Sequence, residues 1–152
     1  MRQPSTLLIV LITLLLTACR DSKQQAAEQM LEQANALFEQ QRYDRALIVI
    51  DSLRKVYPGA IETRKQALRL QQDIELKRSQ EELAVVDSTL QAVIHDYENQ
   101  QKKVEKDKRE LRATAEELTM LTRTRMRRDS LQTRFEALCG KIRYIHKKQK
   151  EL

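Results

Sequence analysis

The sequence predicts an all-α fold made of two consecutive helical hairpins. Among its 152 residues only two are Gly and two are Pro, and aromatic side chains make up 4%. Gln, Glu, Lys, Arg, Leu and Ala dominate instead, and these residues favour helices. Neither Gly nor Pro occurs between residues 60 and 139. Strands would need more β-branched and aromatic residues, with turn residues at regular intervals.

The first eighteen residues have the pattern of a secretory signal peptide. Arg2 supplies a positive charge, and residues 7–16 are apolar except for Thr13. This run is too short for a bilayer core of about 30 Å, which needs roughly 20 helical residues. We therefore expect residues 1–18 to be a removable signal peptide. A short anchor helix is the alternative.

The segment ends in Leu16-Thr17-Ala18-Cys19, which resembles the lipobox of bacterial lipoproteins. The resemblance implies cleavage before Cys19 and several acyl chains on it, so that the lipid bilayer becomes a partner of the mature chain. Several chains hold a protein durably, whereas one binds only marginally. Arg20, in place of the Asp that retains enteric lipoproteins in the inner membrane, favours the outer membrane of the cell envelope. In the alternative, Cys19 is incidental to an ordinary signal peptide.

Two short helices are predicted after the cysteine. Residues 19–25 are expected to be the lipidated cysteine and a polar tether, in which Asp21 or Ser22 caps the first helix. That helix would run to about Gln40, and residues 42–44 would form the turn. The second helix would end at Pro58, because Pro disfavours helix in the residue before it.

The hairpin of residues 26–59 resembles a single tetratricopeptide repeat. In "ANALFEQQRYDRALIVIDSLRKVYP" the matching positions are Ala34, Leu37, Tyr43, Ala46, Ile50, Leu53 and Pro58. The resemblance implies a protein-binding surface, which we assign to Met30, Leu37, Tyr43, Ala46 and Ile50. Because one repeat does not bury a core alone, the next helix or a partner has to cover it. A plain helical hairpin without a peptide groove is the alternative.

Residues 60–152 predict an antiparallel coiled-coil hairpin with its turn near residues 112–114. Thr114 and Glu117 form a capping box, which marks a helix start inside the stretch without Gly or Pro. Apolar positions on the two sides of Thr114 mirror each other at the spacings of a coiled coil. Folded at Thr114, they pair as Tyr97–Leu131, Val93–Phe135, Leu90–Leu138, Val86–Ile142, Leu83–Ile145 and Leu76–Leu152. The two helices would cover residues 60–111 and 115–150. A swapped antiparallel homodimer fits the same mirror and is the alternative.

Positive charge is concentrated in the C-terminal helix. The formal net charge is +6, and residues 123–150 contain ten Lys or Arg against Asp129 and Glu136. Such a stripe suits anionic lipid or cell-wall groups, whereas nucleic acid is not expected for an exported chain without interleaved stacking aromatics. The candidate basic face consists of Arg123, Arg127, Arg128, Arg134, Lys141, Lys147 and Lys148. An ordinary solvated helix face is the alternative.

The sequence contains no recognisable catalytic or metal-binding constellation. Once Cys19 is lipidated, Cys139 is the remaining thiol, and with His146 two turns away it supplies too few ligands for a zinc site. Two isolated glycines, Gly59 and Gly140, do not form a phosphate-binding loop. We therefore expect a non-enzymatic protein without cofactor or metal.

The whole chain is also similar to short envelope lipoproteins of bacteria, in "YPGAIETRKQALRLQQDIEL" and "RRDSLQTRFEALCGKIRYIHKKQK". This resemblance implies a location and no activity. The preferred hypothesis is a membrane-anchored envelope lipoprotein that acts as an adaptor or scaffold for an envelope protein. The alternative is a structural envelope protein that binds anionic cell wall or lipid through the basic face.

Overall fold

The computed structural model describes the backbone of residues 4–151 and the side chains of residues 22–151. Over this part the chain forms helices and no strand, which confirms the all-α prediction. The helices are α1 (Pro4–Glu39), α2 (Tyr43–Val56), α3 (Ile61–Arg109) and α4 (Ala115–Lys150). Leu152, the predicted signal peptide and Cys19 lie outside the residues whose side chains are described. None of the helices, over the residues that the structure describes, contains an apolar stretch of the length that a membrane span needs.

Two compact units follow each other along the chain, and the boundary between them falls after Ile74. The first unit contains α1, α2 and residues 61–74 of α3. The second unit contains residues 75–109 of α3, the connection that follows, and α4. Both predicted hairpins are therefore represented, although the first of them includes a third helical segment.

A core built from three helical segments stabilises the first unit. Ala34 and Ala46 have no exposed surface, and their small side chains let α1 and α2 approach closely. The segment of α3 covers the α1–α2 hairpin, so the core is completed within the chain. Burial of each Leu or Ile contributes about 1.5–3 kcal/mol. The buried residues are Leu31, Ala34, Ala46, Ile50, Leu53, Ala67, Leu70 and Ile74.

Helix α1 differs from the prediction at its start. Residues 19–25, predicted to be a tether, have a helical backbone within α1, so the helix does not begin at Asp21 or Ser22. The stretch contains neither Gly nor Pro to interrupt a helix. Gln24 and Gln25 are also good helix formers, which explains why the helix continues through this polar segment.

The turn between α1 and α2 lies earlier than predicted. Gln41 has a left-handed backbone with φ of 58°, and its N–H donates to the carbonyl of Phe38 at 2.8 Å. Tyr43 and Asp44, predicted to be in the turn, instead begin α2. An acidic side chain is favourable in the first turn of a helix, which explains the position of Asp44. The rings of Tyr43 and Phe38 pack with centroids 5.9 Å apart and close this end of the hairpin.

Helix α4 has the predicted bounds because the predicted capping box forms. The Oγ1 of Thr114 accepts from the N–H of Glu117 at 3.2 Å, and the carboxylate of Glu117 accepts from the N–H of Thr114 at 3.0 Å. Two of the free N–H groups at the start of α4 are thereby satisfied. Helix α3, by contrast, ends at Arg109 and not at residue 111.

Around Tyr97 and Gln100, the register of the second unit differs from the predicted mirror by about one helical turn. The mirror pairs Gln100 with Arg128, but the hydroxyl of Thr124 donates to Gln100 at 3.0 Å. The guanidinium of Arg128 lies instead 4.5 Å from the ring centroid of Tyr97. The connection between Arg109 and Ala115 is centred two positions before Thr114. Since the offset counts once on each helix, it moves the partner of Gln100 by four positions, about one turn.

The paired helices of the second unit enclose a narrow apolar seam. With α4 36 residues long, the hairpin extends about 50 Å at 1.5 Å per residue. Ser79 of α3 is also buried, and its hydroxyl donates to the carbonyl of Glu75 at 2.7 Å. The buried apolar residues are Val86, Leu90, Val93, Val104, Leu138 and Ile145.

Candidate functional site

The structure divides the predicted partner-binding surface into core residues and edge residues. Ala46 and Ile50 are 0% and 2% exposed and belong to the core of the first unit. Their assignment as partner contacts is wrong, because α3 covers the side of the hairpin on which they lie. Met30, Leu37 and Tyr43 are half-buried against that core. Only their outer edges remain accessible to another molecule.

Part of the predicted basic face forms ion pairs across the coiled coil. Arg134 donates to one oxygen of Glu82 from Nε at 3.0 Å and from Nη2 at 2.6 Å. Lys141 pairs with Glu75 at 2.8 Å. Both the basic and the acidic partners are seven residues apart, the repeat of flanking charged positions in a coiled coil. Helix pairing thus accounts for these two charges.

Two further members of the basic face form ion pairs with acidic residues that are close to them in sequence. Arg128 contacts Asp129 at 2.6 Å, and this hydrogen bond raises the pKa of its guanidinium. Lys148 contacts Glu151 at 2.7 Å, which raises the pKa of the Lys148 amine. The basic face therefore offers less free charge than its composition indicates. Among the residues with described side chains, its members without an ion pair are Arg123, Arg127 and Lys147.

The tip of the second unit presents an exposed leucine. The side chain of Leu111 is 95% exposed, and its backbone is left-handed with φ of 56°. Its N–H donates to the carbonyl of Lys108 at 3.1 Å, and the N–H of Arg112 donates to that of Asp107 at 2.7 Å. These two bonds form a Schellman closure, in which Gly usually occupies the left-handed position. A leucine there incurs a conformational cost of about 1–2 kcal/mol and buries nothing in its own chain.

Ion pairs on both sides of this leucine order the tip. The guanidinium of Arg112 pairs with Glu110 and with Asp107, the latter at 3.7 Å. Lys103 of α3 pairs with Glu117 of α4 at 2.6 Å, which ties the two helices together beside the connection. Leu111 therefore lies in a connection that ion pairs hold at both ends. The sequence predicts Leu111 to be the last residue of the helix of residues 60–111, since no Gly marks an earlier end.

The tip is expected to lose stability in acid through Glu117. The amine of Lys103 and the two donors of Thr114 lower the pKa of this carboxyl from 4.5 to about 2. A depressed folded-state pKa gives stability that is present above pH 4.5 and is lost as the pH falls towards 2. The free energy of unfolding of the hairpin should therefore decrease over that interval, as measured by urea titrations at a series of pH values.

The matched variant for this titration is Glu117→Gln. Gln preserves the capping box but cannot ionise, so the variant should show a shallower decrease of stability between pH 4.5 and 2. The difference between the two chains isolates Glu117 from the other carboxylates. An identical pH dependence in both chains would contradict the assigned role of the Lys103–Glu117 pair.

The part of the chain with described side chains has no group of three His, Cys, Asp or Glu residues that could hold a metal ion. In that same part, Cys139 is a free and half-buried thiol on α4. No family model, no curated protein and no solved structure matches this chain. Inferences about function therefore depend on the lipobox-like segment and on the surfaces described above.

Proposed function

We propose that this protein is an envelope lipoprotein, held on a membrane by acyl chains on Cys19, that acts as a non-enzymatic adaptor for another envelope protein. The lipobox-like sequence Leu16-Thr17-Ala18-Cys19 supports the membrane attachment. The observation that carries the adaptor role is Leu111, which is exposed in a left-handed conformation at the tip of the hairpin. Strained and exposed residues of this kind are typical of functional contacts.

A protein is the best-supported partner of the tip because of the charges around Leu111. Residues 106–117 contain four basic and four acidic side chains. Ion pairs form among the charges of the tip, as in Lys103–Glu117 and Arg112–Asp107. Such a surface has no excess of positive charge with which to attract an anionic membrane or cell wall. An apolar centre inside a mixed polar rim is instead the usual composition of a protein–protein interface.

The first unit supports the adaptor role because its hydrophobic core is complete without a partner. Its core is closed by α3, so neither Ile50 nor Leu53 needs a second protein for burial. The partner is therefore expected to bind a folded surface, with no folding of the first unit coupled to binding. Met30, Leu37 and Tyr43 provide a secondary contact through their exposed edges.

Replacing Leu111 by Gly should separate stability from partner capture. Gly adopts the left-handed conformation without steric cost, so the free energy of unfolding of the hairpin should rise by up to about 1 kcal/mol. Capture of the partner should fall by about ten-fold, because the central apolar contact is lost. Urea unfolding measures the first quantity. A pull-down of the C-terminally tagged chain after crosslinking in intact cells measures the second.

The control for this experiment is Met126→Ala, since Met126 is an apolar residue of α4 that is 66% exposed and lies away from the tip. It should retain full capture of the partner. Undiminished capture by the Leu111→Gly chain would contradict the adaptor role of the tip. Recovery of only wall or lipid, released by high salt, would favour the alternative that the basic face is the working surface.

A further inference from the structure

A cleft of about 940 Å³ lies at the α2–α3 connection of the first unit. Val56, Pro58 and Ile61 line it from the connection, while Lys23 and Gln24 line it from α1. Val56 and Ile61 expose 61% and 64% of their surface, and neither belongs to the core. Folding of the first unit therefore does not account for two large apolar side chains at one short connection.

Hydrogen bonds fix this connection relative to α1. The side-chain amide of Gln24 donates to the hydroxyl of Thr63 at 2.8 Å, and Thr63 is only 2% exposed. The guanidinium of Arg64 donates to the carbonyl of Pro58, also at 2.8 Å. The connection and the segment of α1 around Gln24 therefore form one ordered surface.

Helix α1 places the proposed lipid attachment beside this surface. Position 19 lies one turn before Lys23 on the same helix, a rise of about 6 Å. Acyl chains on Cys19 would therefore enter a membrane next to the cleft.

The charges at the cleft suit a lipid surface. Lys23 is exposed at its edge, and a basic side chain is attracted to anionic headgroups. Glu62 also lines the cleft, but the amine of Lys65 pairs with it at 3.2 Å and offsets its charge. No unpaired acidic side chain among the described lining residues opposes contact with such a membrane.

We propose that the α2–α3 connection lies against the bilayer that holds Cys19, with Val56 and Ile61 in the headgroup region. This inference rests on the proposed acylation of Cys19. Interfacial contacts of this kind bury short apolar surfaces at the boundary between headgroups and acyl chains, without spanning the membrane. The acyl chains attach the protein, and the connection orients its first unit on the lipid surface.

The test uses the full chain with Cys139→Ser, purified from the cells that express it and reconstituted in vesicles of phosphatidylethanolamine and phosphatidylglycerol. A polarity-sensitive fluorophore is attached at Ile61→Cys, and the vesicles carry a quencher on their headgroups. The matched control places the fluorophore at Ile48→Cys, because Ile48 belongs to α2 of the same unit and is 65% exposed. We expect the label at position 61 to shift to shorter wavelength and lose more than half of its emission, and the label at position 48 to do neither.

The mass of the N-terminal peptide is measured on the same sample. If Cys19 is acylated and the label at position 61 is not quenched, this inference is overturned while the proposed attachment stands. Equal quenching at positions 48 and 61 also overturns it, because the first unit would then have no preferred orientation. If Cys19 carries no acyl group, the proposed attachment and this inference both fail.

Discussion

Replacing Cys19 by Ser should abolish the incorporation of labelled fatty acid into the protein and leave residues 1–18 attached. A serine cannot carry the thioether-linked lipid implied by the resemblance to bacterial lipoproteins. Durable attachment depends on several acyl chains, each buried CH2 group contributing about 0.8 kcal/mol. Labelling of growing cells with a radioactive fatty acid, followed by mass spectrometry of the N-terminal peptide, measures both effects.

The chain provides a matched control for this substitution, because its only other cysteine is Cys139. Cys139 is half-buried on α4, remote in sequence from the lipobox-like segment. The Cys139→Ser chain should retain full incorporation of fatty acid and normal removal of residues 1–18. Labelling that persists in the Cys19→Ser chain would contradict the proposed attachment site.

Replacing Ile50 by Ala should destabilise the first unit by about 2–5 kcal/mol. Ile50 is 2% exposed in the core of three helical segments, so the substitution removes buried apolar contacts and leaves a cavity. The loss is comparable with the whole stability of many small domains. Urea unfolding and hydrogen exchange of the α1 and α2 amides report the change.

The control for Ile50 is its near neighbour Ile48, which has the same side chain on the same helix but is 65% exposed. Ile48→Ala should change the free energy of unfolding by no more than about 0.5 kcal/mol. If Ile50→Ala were equally mild and reduced only partner capture, Ile50 would be a contact residue, and its placement in the core would be contradicted.

Helix positions were predictable wherever the sequence contains a local signal. Thr114 and Glu117 specify the start of α4 through mutual hydrogen bonds, and the structure has this start at the predicted residue. Pro58 and Gly59 likewise indicate the end of α2. The end of α3 has no such signal, since the left-handed position is occupied by Leu111 where Gly is usual.

The register of the coiled coil could not be derived from apolar spacing alone. A heptad pattern fits equally well when one helix slides by about a turn, so the mirror around Thr114 left the register undetermined. The structure has Gln100 bound to Thr124, a polar pair between the two helices. Polar pairs of this kind can specify register, but their partners are identified only once the turn is known.

The prediction that Ala46 and Ile50 contact a partner failed because of tertiary packing. The apolar spacing around Ala46 and Ile50 indicates a helix with one buried face. It does not identify the element that covers this face. The first turns of α3 provide that cover within the chain. The basic face was overestimated for a similar reason, because the acidic partners of Arg134 and Lys141 lie on another helix, more than fifty residues away.

The adaptor role is tested most directly by a photoreactive crosslinker at position 111 of the acylated full chain in intact cells. The control places the same crosslinker at position 126, where Met126 is exposed but distant from the tip along α4. The proposal predicts an adduct with one envelope protein at position 111 and none at position 126. No protein adduct at position 111, or equal adducts at both positions, would contradict it.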